Sequence, residues 1–144
     1  MKLTSSAFGE GKSIPPSFTC DGADQAPTLN VEGMPANAKS LALVMDDPDA
    51  PAGTWDHWIL FNIEPTVNTI NDGTAGVQGK NSWGKTGYGG PCPPSGTHRY
   101  FFKLYALDAM LDLPEATTKQ QLISAMKNHI ISEATLMGTY QRKK

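Results

Sequence analysis

Apolar runs broken by Gly, Pro, Asn and Asp dominate the chain, a pattern of short strands joined by turns. "SLALVMD" (Ser40 to Asp46) is apolar throughout and predicts a central strand buried on both faces. "HWILFNI" (His57 to Ile63) predicts a second, and "RYFFKLYAL" (Arg99 to Leu107), rich in aromatics, a third. "ATLMGTYQ" (Ala134 to Gln141) closes the sheet, and "TLNVEG" near Thr28 is a weaker strand signal. With period two, His57 falls on the face of Ile59, Phe61 and Ile63. Leu41, Leu43, Ile59, Phe61, Phe102 and Leu104 are the expected core.

One segment has helical spacing. Leu122, Met126 and Ile130 recur every four residues, with Ile123 beside them. Pro114 precedes the segment, and Thr117 with Gln120 has the spacing of a capping box. This places His129 near the helix C-terminus, as a dipole or surface histidine. One helix among many strands predicts a mainly β domain, most simply two packed antiparallel sheets.

Composition narrows the function classes. The 144 residues suffice for one domain with a real core, and 39% apolar with 18% charged residues is ordinary for a folded protein. A formal charge of -2 gives no global basic field for nucleic acid or an anionic membrane. The only basic run is Arg142-Lys143-Lys144, read as a solubilising tail. "MKLTSSAFGEGKSIPP" lacks the apolar stretch of a signal peptide or anchor, and no segment reaches transmembrane length. The expectation is a cytoplasmic protein. Cys20 and Cys92 lack CxxC spacing and read as small buried hydrophobes.

"GKNSWGKTGYGGPCPPSGTHRY" (Gly79 to Tyr100) holds a formal phosphate-loop match ending in Gly84-Lys85-Thr86. Such a loop needs a buried strand before it and a helix after it. Here "NTINDGTAGVQ" is too polar to precede it as a buried strand, and "GYGGPCPPSG" cannot continue as a helix. The nucleotide reading therefore fails. What remains is a long irregular loop stiffened by proline, whose glycines let backbone N–H groups approach a ligand. It leads into His98-Arg99-Tyr100 at the head of the strongest strand, like a wall around an anion site. A second cluster, "MDDPDAPAGTWDHW" (Met45 to Trp58), carries Asp46, Asp47 and Asp49 after a buried strand and His57 at the start of the next. Carboxylates and histidines at these strand ends can converge on one rim of a sandwich.

These residues resemble the phosphatidylethanolamine-binding protein (PEBP) family, also called Raf kinase inhibitor-like proteins. The matching pieces are "DPDAP" (Asp47 to Pro51), "WDHWILFN" (Trp55 to Asn62) and "GYGGPCPPSGTHRYFFKLYALD" (Gly87 to Asp108). "FTCDG" (Phe18 to Gly22) and "GTY" (Gly138 to Tyr140) resemble its bacterial and archaeal branch. The resemblance implies one antiparallel β-sandwich domain over residues 1–144, with a helix in its C-terminal half and long Gly/Pro-rich loops. It implies a surface pocket for phosphate, phosphorylethanolamine or a similar anion, formed by Asp47, His57, His98 and Tyr100 with Gly90 and Pro91 in its wall. Asp49, Pro51, Trp55 and Arg99 would support it. No cofactor and no metal are implied. A kinase or protease target and a homodimer are the partners that the resemblance suggests.

A carboxylate in an anion pocket needs a purpose. Asp47 can hold a histidine in one tautomer and favour its charged form, or accept hydrogen bonds from an amine. A non-catalytic binding module is the favoured reading, since no nucleophile elbow of the GxSxG type is present. The alternatives are a metal-assisted hydrolase using Asp47, Asp49, His57 and His98, and a purely structural role for both histidines. Asp49 and Arg99 are expected to pair, bracing the DPDAP loop against the HRY strand. Both cysteines lie in loops covered by the resemblance. Pairing is therefore the alternative to two free thiols, which a reducing cytoplasm would favour.

Overall fold

The computed structural model describes residues 1–142; Lys143 and Lys144 of the predicted basic tail lie outside them. Eight strands form two antiparallel sheets: β1 (Lys2–Ser5), β2 (Leu29–Glu32), β3 (Ser40–Asp47), β4 (Trp55–Ile63), β5 (Thr69–Ile70), β6 (Val77–Gln78), β7 (His98–Leu107) and β8 (Ile130–Tyr140). The smaller sheet has the order β1-β2-β5 and the larger β6-β4-β3-β7-β8. β3, apolar along most of its length, takes the centre of the larger sheet and is buried at every position. Residues on its two faces enter two different cores. Leu41, Leu43 and Met45 join Tyr100, Phe102 and Leu104 between the sheets. Ala42 and Val44 join Ile59, Phe61, Leu122 and Met126 on the outer face, beneath the helix α1 (Lys119–Met126). All six expected core residues are fully buried, but they divide between these two layers.

Three local expectations shift. The capping box is one residue later than the spacing suggested: Thr118 accepts from the Gln121 backbone and Gln121 reaches back to Thr118. Thr117 instead donates to the Pro114 carbonyl. The helix ends at Met126, and Ile130 opens β8, four residues before the start predicted from sequence. Asn128, at φ 70°, turns the chain there, and a reversed chain direction ends a 3.6-residue repeat even where the next apolar residue keeps the spacing. His129 thus lies outside the helix, with Nδ1 2.7 Å from Asp108 Oδ1, and Ile123 is exposed.

The third shift concerns β4. Its register against β3 slips twice. Met45 pairs with Trp58 and Asp46 with Asp56, so His57 is the extra residue of a bulge. The second slip surrounds Asn62, at φ 53°, whose amide is held by both backbone groups of Leu111. Strict alternation along β4 therefore breaks at both ends. Ile59 and Phe61 face the helix, whereas Trp58, Leu60 and Ile63 face the other sheet.

Candidate functional site

The bulge decides where His57 goes. Instead of following Ile59 to the outer face, its ring packs edge-on against Tyr100 of the inner face, with centroids 5.2 Å apart. β7 alternates regularly, so His98 and Tyr100 share that inner face, and Asp47 lies one strand away at the end of β3. Asp47, His57, His98 and Tyr100 line one cavity of about 250 Å³. Pro51 and Trp55 line it as well, together with Ala50, Trp83, Cys92, Pro93 and Pro94.

Asp47, His57 and His98 are each held by a neighbour, whereas Tyr100 is not. Asp47 Oδ1 accepts the backbone N–H of Asp49 at 2.8 Å, and its Oδ2 lies 2.6 Å from His98 Nδ1. His57 Nδ1 lies 2.7 Å from the Gly89 carbonyl, while the Gly89 N–H returns a bond to the His57 carbonyl. Burial pushes the His57 imidazole below its ordinary value of 6.5, against the opposing pull of the Gly89 carbonyl and Asp47. Burial outweighs the nearby carboxylate, so His57 is neutral at neutral pH. Tyr100 is fully buried, and among the described residues its hydroxyl has no well-directed hydrogen-bond partner. Asp47 is near enough to reinforce the upward push of burial on this phenol, but no well-directed bond joins them. Tyr100 therefore remains a neutral donor.

Asp49 and Arg99 stand beside the cavity and brace it. Arg99 Nε and Nη2 donate to the two carboxylate oxygens of Asp49 at 2.9 and 2.8 Å, and the Arg99 backbone N–H adds a third bond. The guanidinium holds the Asp49 carboxyl down at about 2. This fork ties the DPDAP loop to β7, as the sequence predicted.

Gly90 and Pro91 are not among the residues that line the cavity; they lie next to its wall and tie it to the loop of Cys20 and Asp24. The Gly90 N–H donates to Asp24 Oδ1 at 2.8 Å, and the Pro91 carbonyl accepts from the Cys20 N–H at 3.1 Å. A Cβ at residue 90 would come within 2.4 Å of the Phe18 carbonyl oxygen, so only glycine permits this approach. Tyr88 adds a hydroxyl bond to the same carbonyl. Cys20 and Cys92 are joined by a disulfide across this seam, with Cα atoms 5.5 Å apart. The free-thiol expectation is thus overturned: the two loops are laced together by three hydrogen bonds that bring the sulfurs within reach. The pairing also removes one support for a cytoplasmic location. Among the described residues, no helix is long and apolar enough to cross a membrane.

Trp83 had no strong sequence signal, being a lone aromatic in a glycine-rich loop. Asn81 holds that loop, accepting from the backbones of Trp83 and Lys85 and donating to the Gly87 carbonyl. The turn that resembled a phosphate loop is thereby closed on itself, and it swings Trp83 over His57 and against Trp55. Among the described residues, no three His, Cys, Asp or Glu side chains are grouped to hold a metal ion.

A family model described as phosphatidylethanolamine-binding protein matches residues 4–141. A UPF0098 protein from Methanothermobacter thermautotrophicus is 47% identical, with 99% of each chain covered. One from Chlamydia muridarum is 46% identical over the same share. A PEBP homologue from Chlamydia trachomatis, solved by crystallography, superposes with a TM-score of 0.96 at 44% identity, covering 99% of this chain and 97% of that one. YbcL of Escherichia coli superposes with a TM-score of 0.91 at 30% identity, covering 99% and 98%. Membership of the family points in general to a binding or regulatory module. Sequence, fold and relatives agree along essentially the whole chain, which belongs to the bacterial and archaeal branch of the PEBP family.

Proposed function

We propose that the cavity is a non-catalytic binding site for a phosphate-like oxyanion, such as phosphate or phosphorylethanolamine. The observation that carries this reading is the Tyr100 hydroxyl. It is buried, has no well-directed partner among the described residues, and belongs to a residue that lines a cavity beside two imidazoles. A buried hydroxyl without a partner costs stability, and a ligand oxygen offsets that cost. Asp47 engages His98 Nδ1, which leaves Nε2 as the ring nitrogen available to the same ligand. Trp55 and Trp83 stand edge to face at 5.6 Å in the cavity lining and offer ring surface to the ammonium of a head group.

Tyr100→Phe tests this directly. It removes a hydroxyl that the fold does not use, so stability should stay level or rise, while phosphate binding weakens about tenfold. His98→Ala should weaken binding by a similar factor. Calorimetric titration of the three proteins with phosphate is the measurement. A wild type that binds no phosphate would overturn the reading. No observation favours the hydrolase alternative over this one.

A further inference from the structure

We infer that the Cys20–Cys92 disulfide is a redox latch on the cavity: oxidised, it fixes one wall of the site, and reduction by a dithiol frees that wall and weakens binding. The oxyanion reading supplies the probe, phosphate, but the latch itself rests on how the wall is held.

Cys92, Pro93 and Pro94 line the cavity together. They belong to a short span that the rest of the protein holds lightly. Just before it, Gly89 is bonded to the ring and the backbone of His57, the Gly90 N–H donates to Asp24, and the Pro91 carbonyl accepts from Cys20. Just after it, the Thr97 hydroxyl donates to Gln141, and His98 pairs with Tyr140 in the sheet. From Cys92 through Gly96, no hydrogen bond to another of the described residues holds the chain. Pro93 and Pro94 have no N–H to offer, so they stiffen the span without attaching it. Pro93 is buried, whereas Pro94, Ser95 and Gly96 are exposed. One buried proline and one covalent bond therefore fix this part of the wall to the fold. Segments with so few ties are the ones that open first.

The bond is also placed to be opened. Cys20 is exposed and does not line the anion cavity. Both cysteines line a second cavity, of about 300 Å³, which shares Cys92 and Trp83 with the first. A dithiol thus has an approach to the bond outside the anion site. Its thiolate attacks Sγ of Cys20, the more exposed residue, and expels Cys92 as a thiolate that takes up a proton. The reductant's second thiolate then attacks its own sulfur in the mixed disulfide, and Cys20 leaves and is protonated in turn. Two electrons and two protons pass to the protein, and the dithiol departs as its disulfide. Neither cysteine belongs to the two hydrophobic cores, and three hydrogen bonds still join the loops. The fold survives while the wall loosens. Each ligand must then order the wall again as it binds, and that entropy is taken from its affinity.

Calorimetric titration with phosphate tests this on the oxidised protein, on the same protein after dithiothreitol, and on Cys20→Ser, which opens the bond without altering the cavity lining. Both opened forms should bind about tenfold more weakly than the oxidised one. In nitrogen-15 relaxation, the order parameters of Cys92, Ser95 and Gly96 should fall from about 0.85 to below about 0.6, while those of Gly89 and Gly90 stay level. Equal phosphate affinity in all the forms overturns the latch and leaves the oxyanion reading intact. Binding by none of them overturns the oxyanion reading, and relaxation then decides the latch, which an unchanged wall overturns as well. A bond that dithiothreitol does not open in the folded protein overturns it too. So does a chain that unfolds as a whole once the bond is open, because the bond would then support the entire fold.

Discussion

Asp46 and Asp47 are neighbours on β3, each 3% exposed, and the pleat sends one to each face of the same sheet. On the outer face, Asp46 sits opposite Asp56 in the ladder, an arrangement that would repel if left alone. Lys103 and Lys119 reach Asp46 Oδ2 at 3.3 and 3.4 Å. Lys119 also approaches Asp56 Oδ1 at 2.7 Å, as an ionic contact more than a directed hydrogen bond. Burial pulls the Lys119 ammonium down, yet the two carboxylates more than restore it and leave it above its ordinary value. On the inner face, no lysine or arginine among the described residues forms an ion pair with Asp47. Its partners are a backbone N–H and a histidine ring that opens onto a cavity. Full neutralisation belongs to the face that only has to hold together. A charge that orients a titratable ring, with a neutral phenol beside it, belongs to the face prepared for something else.

That contrast can be broken or sharpened by mutation. Leu104, in the inner core and opposite both Leu43 and Ala134, should show the largest effect. Leu104→Ala should cost about 2–5 kcal/mol in denaturant unfolding, because its cavity cannot collapse between two sheets. A near-neutral result would mean the inner face is not the packed support of the site. Lys119→Met comes next, at about 2 kcal/mol, since it leaves two largely buried carboxylates facing each other with only Lys103 to offset them. Phosphate affinity should stay within about twofold of wild type. A larger loss of binding would show that the two faces are coupled. Arg99→Met should have the smallest effect, because the arginine side chain is 52% exposed and screened by solvent. Its signature is pH dependence. Asp49 titrates at about 2 in the fold against 3.8 ordinarily, so its contribution is present above 3.8 and lost as pH falls toward 2. In the variant, the stability curve between those values should flatten. An unchanged acid limb would show that the fork contributes nothing.

The sequence exposed what depends on composition and period. β3 and β7 are long, apolar and regular, and their ends brought Asp47, His98 and Tyr100 to one place as expected. The Asp49–Arg99 fork followed from two opposite charges flanking those ends. His57 reached the site for a reason alternation could not supply: period two sends it to the helix side, and the bulge returns it. Bulges reflect how a strand fits its partner, information absent from the strand's own pattern. Trp83 was hidden similarly, because its position depends on Asn81 folding a glycine-rich turn. Gly90 and Pro91 were expected in the wall and lie beside the cavity lining. Their glycine and proline character answers to Asp24, Phe18 and Cys20 behind the wall.

The Cys20–Cys92 bond spans 72 residues of chain, and β2 through β6 all lie inside that ring. A cross-link acts mainly on the unfolded ensemble, and for a ring of this size the chain-entropy model gives about 4–5 kcal/mol. Much of a single domain's net stability can be of that order. The same polypeptide therefore has two stabilities, set by the thiol–disulfide poise of its surroundings. Cys20 is exposed, within reach of a dithiol reductant. Opening the ring returns that entropy to the unfolded chain, whatever it does to the folded one. How long a molecule survives heat or proteolysis then depends on where it is, as well as on what it is made of.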